Sequence, residues 1–406
     1  MYKENIIGPC MSSMNYKKVN LSIKPMSKNI GVISMGIKTP IIREGDDLAQ
    51  IVVNAVLDAT RGGEKLVQPA PGVKGLVKVR GEYFYDINDK DVIGITESVV
   101  ARSVGNYVSL YDIGLELRER FGSFKKYYIV APIYSRNRFS MILKAIAGEA
   151  SEVIIYMPEF DEVGNPSGVN QFTGVNIRDY YKEIVEAAGA KCIIFDDIIP
   201  EYQIVPEEAI TIYCGLHDYE QWKADYGDET HITLADICKD KCEYGLLGSN
   251  KANENTLKLF PDKKSSQELV EKVQARIYEK TNKYVEVMVY GDGCFKDPVG
   301  GIWEFADPVA SPAYTIGLEG RPNEIKIKAF ADDKYSDLNG EELNNAIKNE
   351  IKLKAIDLKG NMSSQGTTPR RYVDLLASLM DLTSGSGDKG TPVILVKNYF
   401  KNFSNE

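Results

Sequence analysis

The middle of the chain reads YYIVAPIYSRNRFSMILKAIAGEASEVIIY from Tyr127 to Tyr156. Its apolar run at 127–131 has the composition of a buried strand, residues 139–147 are typical of a helix, and 153–156 is a second strand-like run. A strand, a helix and a strand at this spacing form a βαβ unit, and such units build parallel sheets. The stretch therefore predicts an α/β fold with a largely parallel sheet.

The same alternation continues further along the chain. Residues 179–188 predict another helix, 192–195 a third strand and 209–213 a fourth. No GxGxxG motif opens a helix after a strand, and no GxxxxGK[ST] motif is present. We therefore expect a Rossmann-like lobe here, and a nucleotide site, where one exists, has to be of another type.

The sequence on both sides of this lobe predicts mixed α/β structure. Helix starts are marked by side chains that can accept from free backbone N–H groups, and strands by short apolar runs. In chain order, the predicted elements are a strand-like stretch from Ile30, a helix capped by Asp46 or Asp47, a buried strand at 91–100, a helix opened by the capping box at 265–268, a strand at 284–289, a helix from Thr368 to Leu382, and a strand at 392–396.

The overall composition excludes several classes of protein. The chain has 406 residues, of which 43% are hydrophobic and 26% charged, as in an ordinary globular protein of two or three domains. A formal net charge of −9 argues against nucleic acid as the main partner. No apolar run is long enough for a membrane span, and six scattered cysteines fit a reducing compartment. We expect a cytoplasmic protein.

Three loops could hold a charged ligand. The loop Ser384–Gly390 exposes backbone N–H groups that suit a phosphate, and Gly291-Asp292-Gly293 places a carboxylate at a strand end, where a divalent cation could bind. Arg136 and Arg138 precede a helix and suit a carboxylate or phosphate. Each loop also has an ordinary interpretation, as a connector, a turn or a solvated surface, and none is specific alone.

The order of these segments resembles a known family. Several segments, in the right order, are similar to segments of the coenzyme F-420-0:L-glutamate ligase family. They are Pro40-Ile41-Ile42 with Gly45-Asp46-Asp47-Leu48, Asp91-Val92-Ile93-Gly94-Ile95 with Ser98 and Arg102, Gly245 to Asn250, Asp292-Gly293-Cys294-Phe295, and the helix through Leu375, Ala377 and Leu379 with the glycine-rich loop and Gly390-x-Pro392-Val393.

The resemblance covers about 30–120 and 241–400 and implies a mixed α+β ligase fold into which the Rossmann-like lobe is inserted. On this basis we divide the chain into an irregular N-terminal leader (1–29), the N-terminal part of the ligase-like domain (30–121), an inserted α/β lobe (122–240) and the C-terminal part of the ligase-like domain (241–406). The family resemblance also implies a homodimer.

The activity that the resemblance implies is GTP-dependent formation of an amide through an acyl phosphate, with Mg²⁺ or Mn²⁺, on a small-molecule acid and with L-glutamate as a possible amine donor. It places guanine contacts at Thr39, Pro40, Ile41 and Ile42, and it places Ser98 and Arg102 near the phosphates, with Arg102 in the position of the family's usual lysine. Asn250 matches a nucleotide-contacting position. The phosphate loop is implied at Gly385, Ser386, Gly387, Asp388, Lys389 and Gly390, and Arg102 and Asp292 are the implied catalytic residues.

The chain departs from the family pattern at its metal ligands. Leu247 stands where the family has a metal-binding Asp, and Ser384 or Ser386 stands where it has a Glu. Only Asp292 approximates a third carboxylate, and it is our candidate metal ligand. Since divalent cations need several oxygen ligands, the metal site is weakened or moved, with Asp388, Asp297 and Glu304 as possible replacements.

Two other functions remain open from the sequence. One is a non-catalytic nucleotide- or metabolite-binding protein on the same fold. The other is a Rossmann-type enzyme whose chemistry lies in the middle lobe around Arg136 and Arg138.

Overall fold

The computed structural model describes most of the chain. The described residues are 30–61, 65–67, 77–79, 86–162, 164–170, 174–196, 209–215, 219–292, 295–296, 303–304, 309–322, 326–353, 371–385 and 387–404. The predicted leader 1–29 lies outside these residues, as does the predicted helix start at Thr368. No helix of the described residues is long and apolar enough to cross a membrane.

The described part of the chain contains both strands and helices. The strands are β1 (Ile33–Ile37), β2 (Lys65–Val67), β3 (Val77–Val79), β4 (Val92–Thr96), β5 (Tyr107–Ser109), β6 (Lys125–Val130), β7 (Ala150–Tyr156), β8 (Lys191–Phe195), β9 (Ile210–Tyr213), β10 (His231–Thr233), β11 (Ser249–Asn253), β12 (Thr256–Leu259), β13 (Glu286–Asp292), β14 (Phe295–Lys296), β15 (Trp303–Glu304), β16 (Val309–Tyr314) and β17 (Val393–Lys397). The helices are α1 (Leu48–Arg61), α2 (Glu97–Ser103), α3 (Leu110–Phe121), α4 (Phe139–Gly148), α5 (Ile177–Ala187), α6 (Tyr219–Tyr226), α7 (Lys263–Thr281), α8 (Ile327–Ala329), α9 (Gly340–Leu353) and α10 (Tyr372–Ser384).

The first sheet contains strands from the early and the late parts of the sequence. Its strand order is β1-β17-β4-β13-β16, in which β4 and β13 are parallel and the other neighbours are antiparallel. Helices α1 and α7 pack on one face through buried apolar side chains such as Val52, Val56, Val273 and Ile277. Helix α10 packs on the other face, so the sheet is covered on both sides. The mixed α/β fold predicted from the sequence is therefore confirmed.

The second sheet lies in the middle of the chain and is parallel throughout. Its order is β10-β9-β6-β7-β8, with helices α3, α4 and α5 packed on one face. The four strands predicted between residues 127 and 213 all lie in this sheet, and the predicted helices correspond to α4 and α5. The lobe boundaries at 122 and 240 remain a prediction.

A small third sheet, β11-β12-β5, connects the two larger units. Buried residues of β5 and β12 belong to the apolar core of the middle sheet, whereas Lys258 on β12 forms an ion pair with Glu97, which directly follows β4 of the first sheet. The hairpin β11-β12 therefore lies between the parallel lobe and the first sheet.

Two local predictions are wrong. The predicted strand at 91–100 ends at Thr96, and residues 97–103 form helix α2, because Val100 and Ala101 bury one side of a helix turn. The predicted capping box at 265–268 does not begin α7. Asp262 caps that helix instead, by accepting from the Ser265 amide at 2.8 Å.

A buried ion pair fixes the edge of the first sheet where β4 begins. The side chains of Asp91 and Lys397 are 2% and 1% exposed, and the Lys397 ammonium donates to the Asp91 carboxylate and, at 2.6 Å, to the carbonyl of Asp86. Burial raises the pKa of the Asp91 carboxyl, and the hydrogen bond from Lys397 opposes this shift. The pair joins the last residue of β17 to the start of β4.

Candidate functional site

The opposite edge of the first sheet collects the segments singled out in the sequence. In register, Ile37 at the end of β1 faces Val393 at the start of β17, and Val393 faces Ile95 near the end of β4. Tyr290 of β13 pairs with Thr96 of β4 in parallel. The segments 38–47, 97–103, 385–392 and the end of β13 therefore meet at one edge, which we call the loop edge.

The loop 38–47 connects β1 to α1. Within it, Ile42 is buried and Ile41 is 77% exposed, while Thr39 and Pro40 lie at the surface. The loop is closed by Asp46, whose carboxylate accepts from the Arg43 amide at 2.7 Å. An exposed apolar side chain at the mouth of a loop suits contact with a planar ring.

Asp47 caps α1, and this structural role accounts for a carboxylate at this position without a catalytic one. Its carboxylate accepts from the Gln50 amide at 3.1 Å, as an N-cap residue does. It also accepts from Arg276, and this hydrogen bond, followed by the one from Gln50, holds the pKa of the Asp47 carboxyl below its usual range. The predicted capping role is confirmed for Asp47.

Helix α2 places Ser98 and Arg102 four residues apart. Both side chains are exposed, and their spacing puts them on the same helix face. The end of α2 is tied to the loop 38–47, because the Gly45 amide donates to the Ser103 carbonyl at 2.9 Å. The structure thus brings these residues beside the loop that contains Thr39 to Ile42.

The glycine-rich loop runs from the end of α10 to β17. Gly385 has a φ of 59° and Gly390 a φ of 65°, a region that favours glycine. The Lys389 side chain folds back so closely that a Cβ on Gly385 would lie 2.6 Å from its ammonium nitrogen. Gly387, Asp388 and Lys389 form a turn whose side chains are exposed, and Ser386 lies outside the described residues.

A buried ion pair lies beneath these loops. Glu97 is the first residue of α2, and its side chain packs so tightly on Gly291 that a Cβ there would lie 2.0 Å from the Glu97 Cγ. Lys258 reaches it from β12, with 3.1 Å between Nζ and Oε1. Asn250 stands directly opposite Lys258 on the β11-β12 ladder, so both side chains lie on one face of the hairpin. The ladder thus brings Asn250 to the loop edge.

The described residues do not supply the carboxylates that a divalent cation requires. No group of three His, Cys, Asp or Glu suited to a metal occurs among them. Leu247 offers only its carbonyl, which accepts from Arg138, and the Ser384 hydroxyl donates to the Asp381 carbonyl at 2.8 Å. Asp292 is the last residue of β13, and its side chain lies outside the described groups, as do Asp297 and the side chain of Glu304.

Exposed cations surround the loop edge although the chain is acidic. Lys38, Arg43, Arg102 and Lys389 are all exposed, and none of them forms an ion pair within the described part of the chain. Glu44, Asp46 and Asp388 add negative charge nearby, while Glu97 is paired with Lys258. The arrangement suits a ligand with several negative charges.

The two arginines of the middle lobe have separate environments. Arg138 is half-buried and donates to the Leu247 carbonyl. At the start of α4, the Ser135 hydroxyl oxygen accepts from the backbone amides of Arg138 and Phe139, at 3.2 and 2.8 Å. Arg136 is exposed and lines a surface cavity of about 330 Å³ together with Lys144 and Tyr180. The structure does not bring the two guanidinium groups into one site.

Glu97 and Lys258 were missed in the sequence. Glu97 falls within the predicted strand at 91–100, which gives no sign that a helix begins there. Lys258 lies between two leucines in the sequence TLKL, which is typical of a strand with its lysine on the solvent face. A carboxylate directly after a buried apolar strand is the signal that could have identified Glu97.

The fold and this edge define a mixed α/β protein with a candidate ligand site at its strand ends. A model of the family F420-0:Gamma-glutamyl ligase matches residues 36–398, and the chain belongs to this family. The matched range includes the middle lobe, and the predicted resemblance is confirmed. No curated protein sequence matches the chain.

Proposed function

We propose that this chain is a GTP-dependent amide ligase whose nucleotide binds at the loop edge. The observation that carries the proposal is the convergence there of segments that lie far apart in sequence, around residues 40, 100, 250, 292 and 388. These are the segments that the family resemblance associates with the nucleotide. Membership of the ligase family supports the reaction class.

The reaction that we propose has two steps. A carboxylate oxygen of the acid substrate attacks the γ-phosphorus of GTP, which forms an acyl phosphate and releases GDP. The amine of the second substrate, for which L-glutamate is our candidate, then attacks the acyl carbon, forms the amide, loses a proton and releases phosphate. Fixed positive charge is the main catalytic contribution that a protein makes to phosphoryl transfer.

Residues of the loop edge take separate roles in this proposal. Thr39 to Ile42 contact the guanine, for which the exposed Ile41 provides an apolar surface. Arg102, beside Ser98, and Lys389 neutralise the phosphates, and the turn at 387–390 offers backbone N–H groups. Asn250 contacts the nucleotide from the β11-β12 hairpin.

Mg²⁺ or Mn²⁺ is part of the reaction that the resemblance implies, but the residues described at this edge do not fit such an ion. By the resemblance, Leu247 and either Ser384 or Ser386 stand at two of the carboxylate positions. The Leu247 carbonyl accepts from Arg138, and the Ser384 hydroxyl donates to the Asp381 carbonyl. We therefore assign no step to a metal. The homodimer remains a prediction.

A turnover assay tests the proposal. Purified protein is incubated with GTP, L-glutamate and a panel of small carboxylic acids, and GDP release and amide products are followed by mass spectrometry. We expect GDP release over many turnovers to require both an acid and an amine, since the acyl phosphate must be consumed before the next cycle, and we expect its loss in Arg102→Ala. Lys401→Ala is the matched control, because this exposed lysine follows β17 at the opposite edge of the sheet.

The second candidate is a non-catalytic protein that binds a nucleotide or metabolite at the same edge. The apolar Leu247 in a metal-ligand position favours it. GTP binding without GDP release, with every acid and amine tested, would support this function and overturn the ligase.

A further inference from the structure

Lys258 occupies an unusual position for a lysine on a short strand. Its neighbours Leu257 and Leu259 are fully buried on one face of the β11-β12 hairpin, while Lys258 points to the other face. There its side chain is only 13% exposed. The ammonium group lies 3.1 Å from the Glu97 carboxylate, whose side chain is 7% exposed. Lysine side chains are seldom buried to this extent, so either a structural or a functional role should account for this one.

Stability is a weak reason for this pair. Removing two charges from water costs about as much as their attraction returns, so buried ion pairs are often replaced by apolar residues without loss of stability. The pair also lies above Gly291 and beside Thr96, at the carboxyl ends of two parallel strands. Ligands of open α/β sheets bind at such ends.

Lys258 places a positive charge near the loop edge. By the family resemblance, Leu247 and either Ser384 or Ser386 stand where carboxylates would hold a divalent cation, and the described residues form no group of three metal ligands in their place. Lys258 faces Asn250 across the ladder, which puts its ammonium next to a residue proposed to contact the nucleotide. A lysine ammonium binds phosphate as a compact point charge.

We propose that Lys258 contacts a phosphate group of the bound nucleotide and supplies part of the positive charge that a carboxylate-bound cation would otherwise provide. Glu97 is its positioning residue, since the carboxylate holds the ammonium at the strand ends. This inference rests on the proposed nucleotide site and adds a specific phosphate-binding residue to it.

Equilibrium titrations with EDTA present test the inference. GTP, GDP and guanosine are titrated into the wild type, Lys258→Met, Lys258→Arg and the double variant Lys258→Met with Glu97→Gln. We expect Lys258→Met to weaken GTP binding at least about tenfold, as for a lost charged hydrogen bond, and to leave guanosine unchanged. Lys258→Arg retains charge and most of the affinity.

The double variant separates a ligand contact from a structural role. It removes both charges of the Lys258–Glu97 pair, so it avoids the carboxylate without its lysine that Lys258→Met leaves. We expect it to bind GTP as weakly as Lys258→Met. Wild-type affinity in the double variant would overturn the inference, because the lysine would then serve only to neutralise Glu97.

A matched control and the wild type complete the experiment. Lys251→Met removes a lysine from the same hairpin, where it pairs with the exposed Glu254 at 2.6 Å, and GTP affinity is expected to stay unchanged. An equal loss in this variant would contradict a specific role for Lys258. Failure of the wild type to bind GTP, with or without Mn²⁺, would instead overturn the proposed function itself.

Discussion

Arg276 on α7 donates from Nη1 to both carboxylate oxygens of Asp47, at 2.9 and 3.0 Å, while Asp47 caps α1. The Asp47 carboxylate thus caps the first turn of α1, where the loop 38–47 ends, and also links α1 to α7. The two helices cover the same face of the first sheet, so the contact fixes the loop against the core.

The cap at Asp47 predicts a loss of stability on mutation. Asp47→Ala removes the acceptor for the Gln50 amide, and we expect the free energy of unfolding to fall by about 1 kcal/mol. Asp47→Asn keeps the cap and loses only an exposed ion pair, so it should cost less. Urea unfolding measures both. Equal losses would show that the ion pair, not the cap, stabilises this region.

The lowered pKa of Asp47 predicts a pH dependence. Because the carboxyl binds protons less readily in the folded than in the unfolded chain, it stabilises the fold above its unfolded pKa, near 3.8, and this contribution is lost as the pH falls. The stability difference between wild type and Asp47→Asn should therefore shrink below that pH. The effect is small because the side chain is exposed. A difference that grows on acidification would contradict the assignment.

The Asp91–Lys397 pair predicts a large effect at the other edge of the sheet. Lys397→Met leaves a buried carboxylate without its cation, and we expect the free energy of unfolding to fall by about 3–5 kcal/mol. Adding Asp91→Asn should recover much of this loss, whereas the exposed Lys401→Met should have little effect. Chemical unfolding of the wild type, Lys397→Met, the double variant and Lys401→Met measures these free energies. Failure of the double variant to recover would mean that the other contacts of Lys397 dominate.

The glycine-rich loop predicts different tolerance at two glycines. Gly385→Ala forces a side chain into a backbone conformation that favours glycine, so we expect a loss of about 1–2 kcal/mol, and it displaces the flexible end of Lys389, so we also expect weaker GTP binding. Gly387 has open space around its Cβ position, and Gly387→Ala should be stable. Thermal unfolding and GTP titration measure both effects. Equal stability of the two variants would contradict the loop geometry.

The separation of the middle-lobe arginines predicts a structural role for one of them. Arg138→Met removes the donor to the Leu247 carbonyl, and we expect a loss of about 1–2 kcal/mol in the free energy of unfolding. Arg136→Met removes an exposed side chain and should change it by less than about 0.5 kcal/mol. Neither should affect GTP binding. Loss of ligand binding only in the Arg136, Arg138 double variant would favour an enzyme centred on the middle lobe.

The parallel sheet of the middle lobe could be predicted because its strands are buried and therefore apolar along their length. The runs at 127–131 and 153–156 needed no tertiary information. Boundaries set by long-range packing could not be found in this way. The stretch from Asp91 to Val100 has apolar residues on both sides of Thr96-Glu97-Ser98, and contacts with β13 and the hairpin decide that Thr96 ends the strand.

The site was predicted in part. The loops at 39–42 and 385–390 carry glycine, proline and polar residues that mark them in the sequence, and the register of β1 and β17 brings them together. Glu97 and Lys258 could not be paired from the sequence, because they are 161 residues apart and neither belongs to a motif. Their relation depends on how the hairpin docks against α2.

Calorimetric titration of GTP and ATP, with and without Mn²⁺, into wild type, Arg102→Ala and Lys401→Ala tests the nucleotide site at the loop edge most directly. We predict GTP binding that is weakened in Arg102→Ala by about tenfold or more and is unchanged in Lys401→Ala. Binding of neither nucleotide to the wild type under any metal condition, or equal affinities in all three proteins, would contradict it.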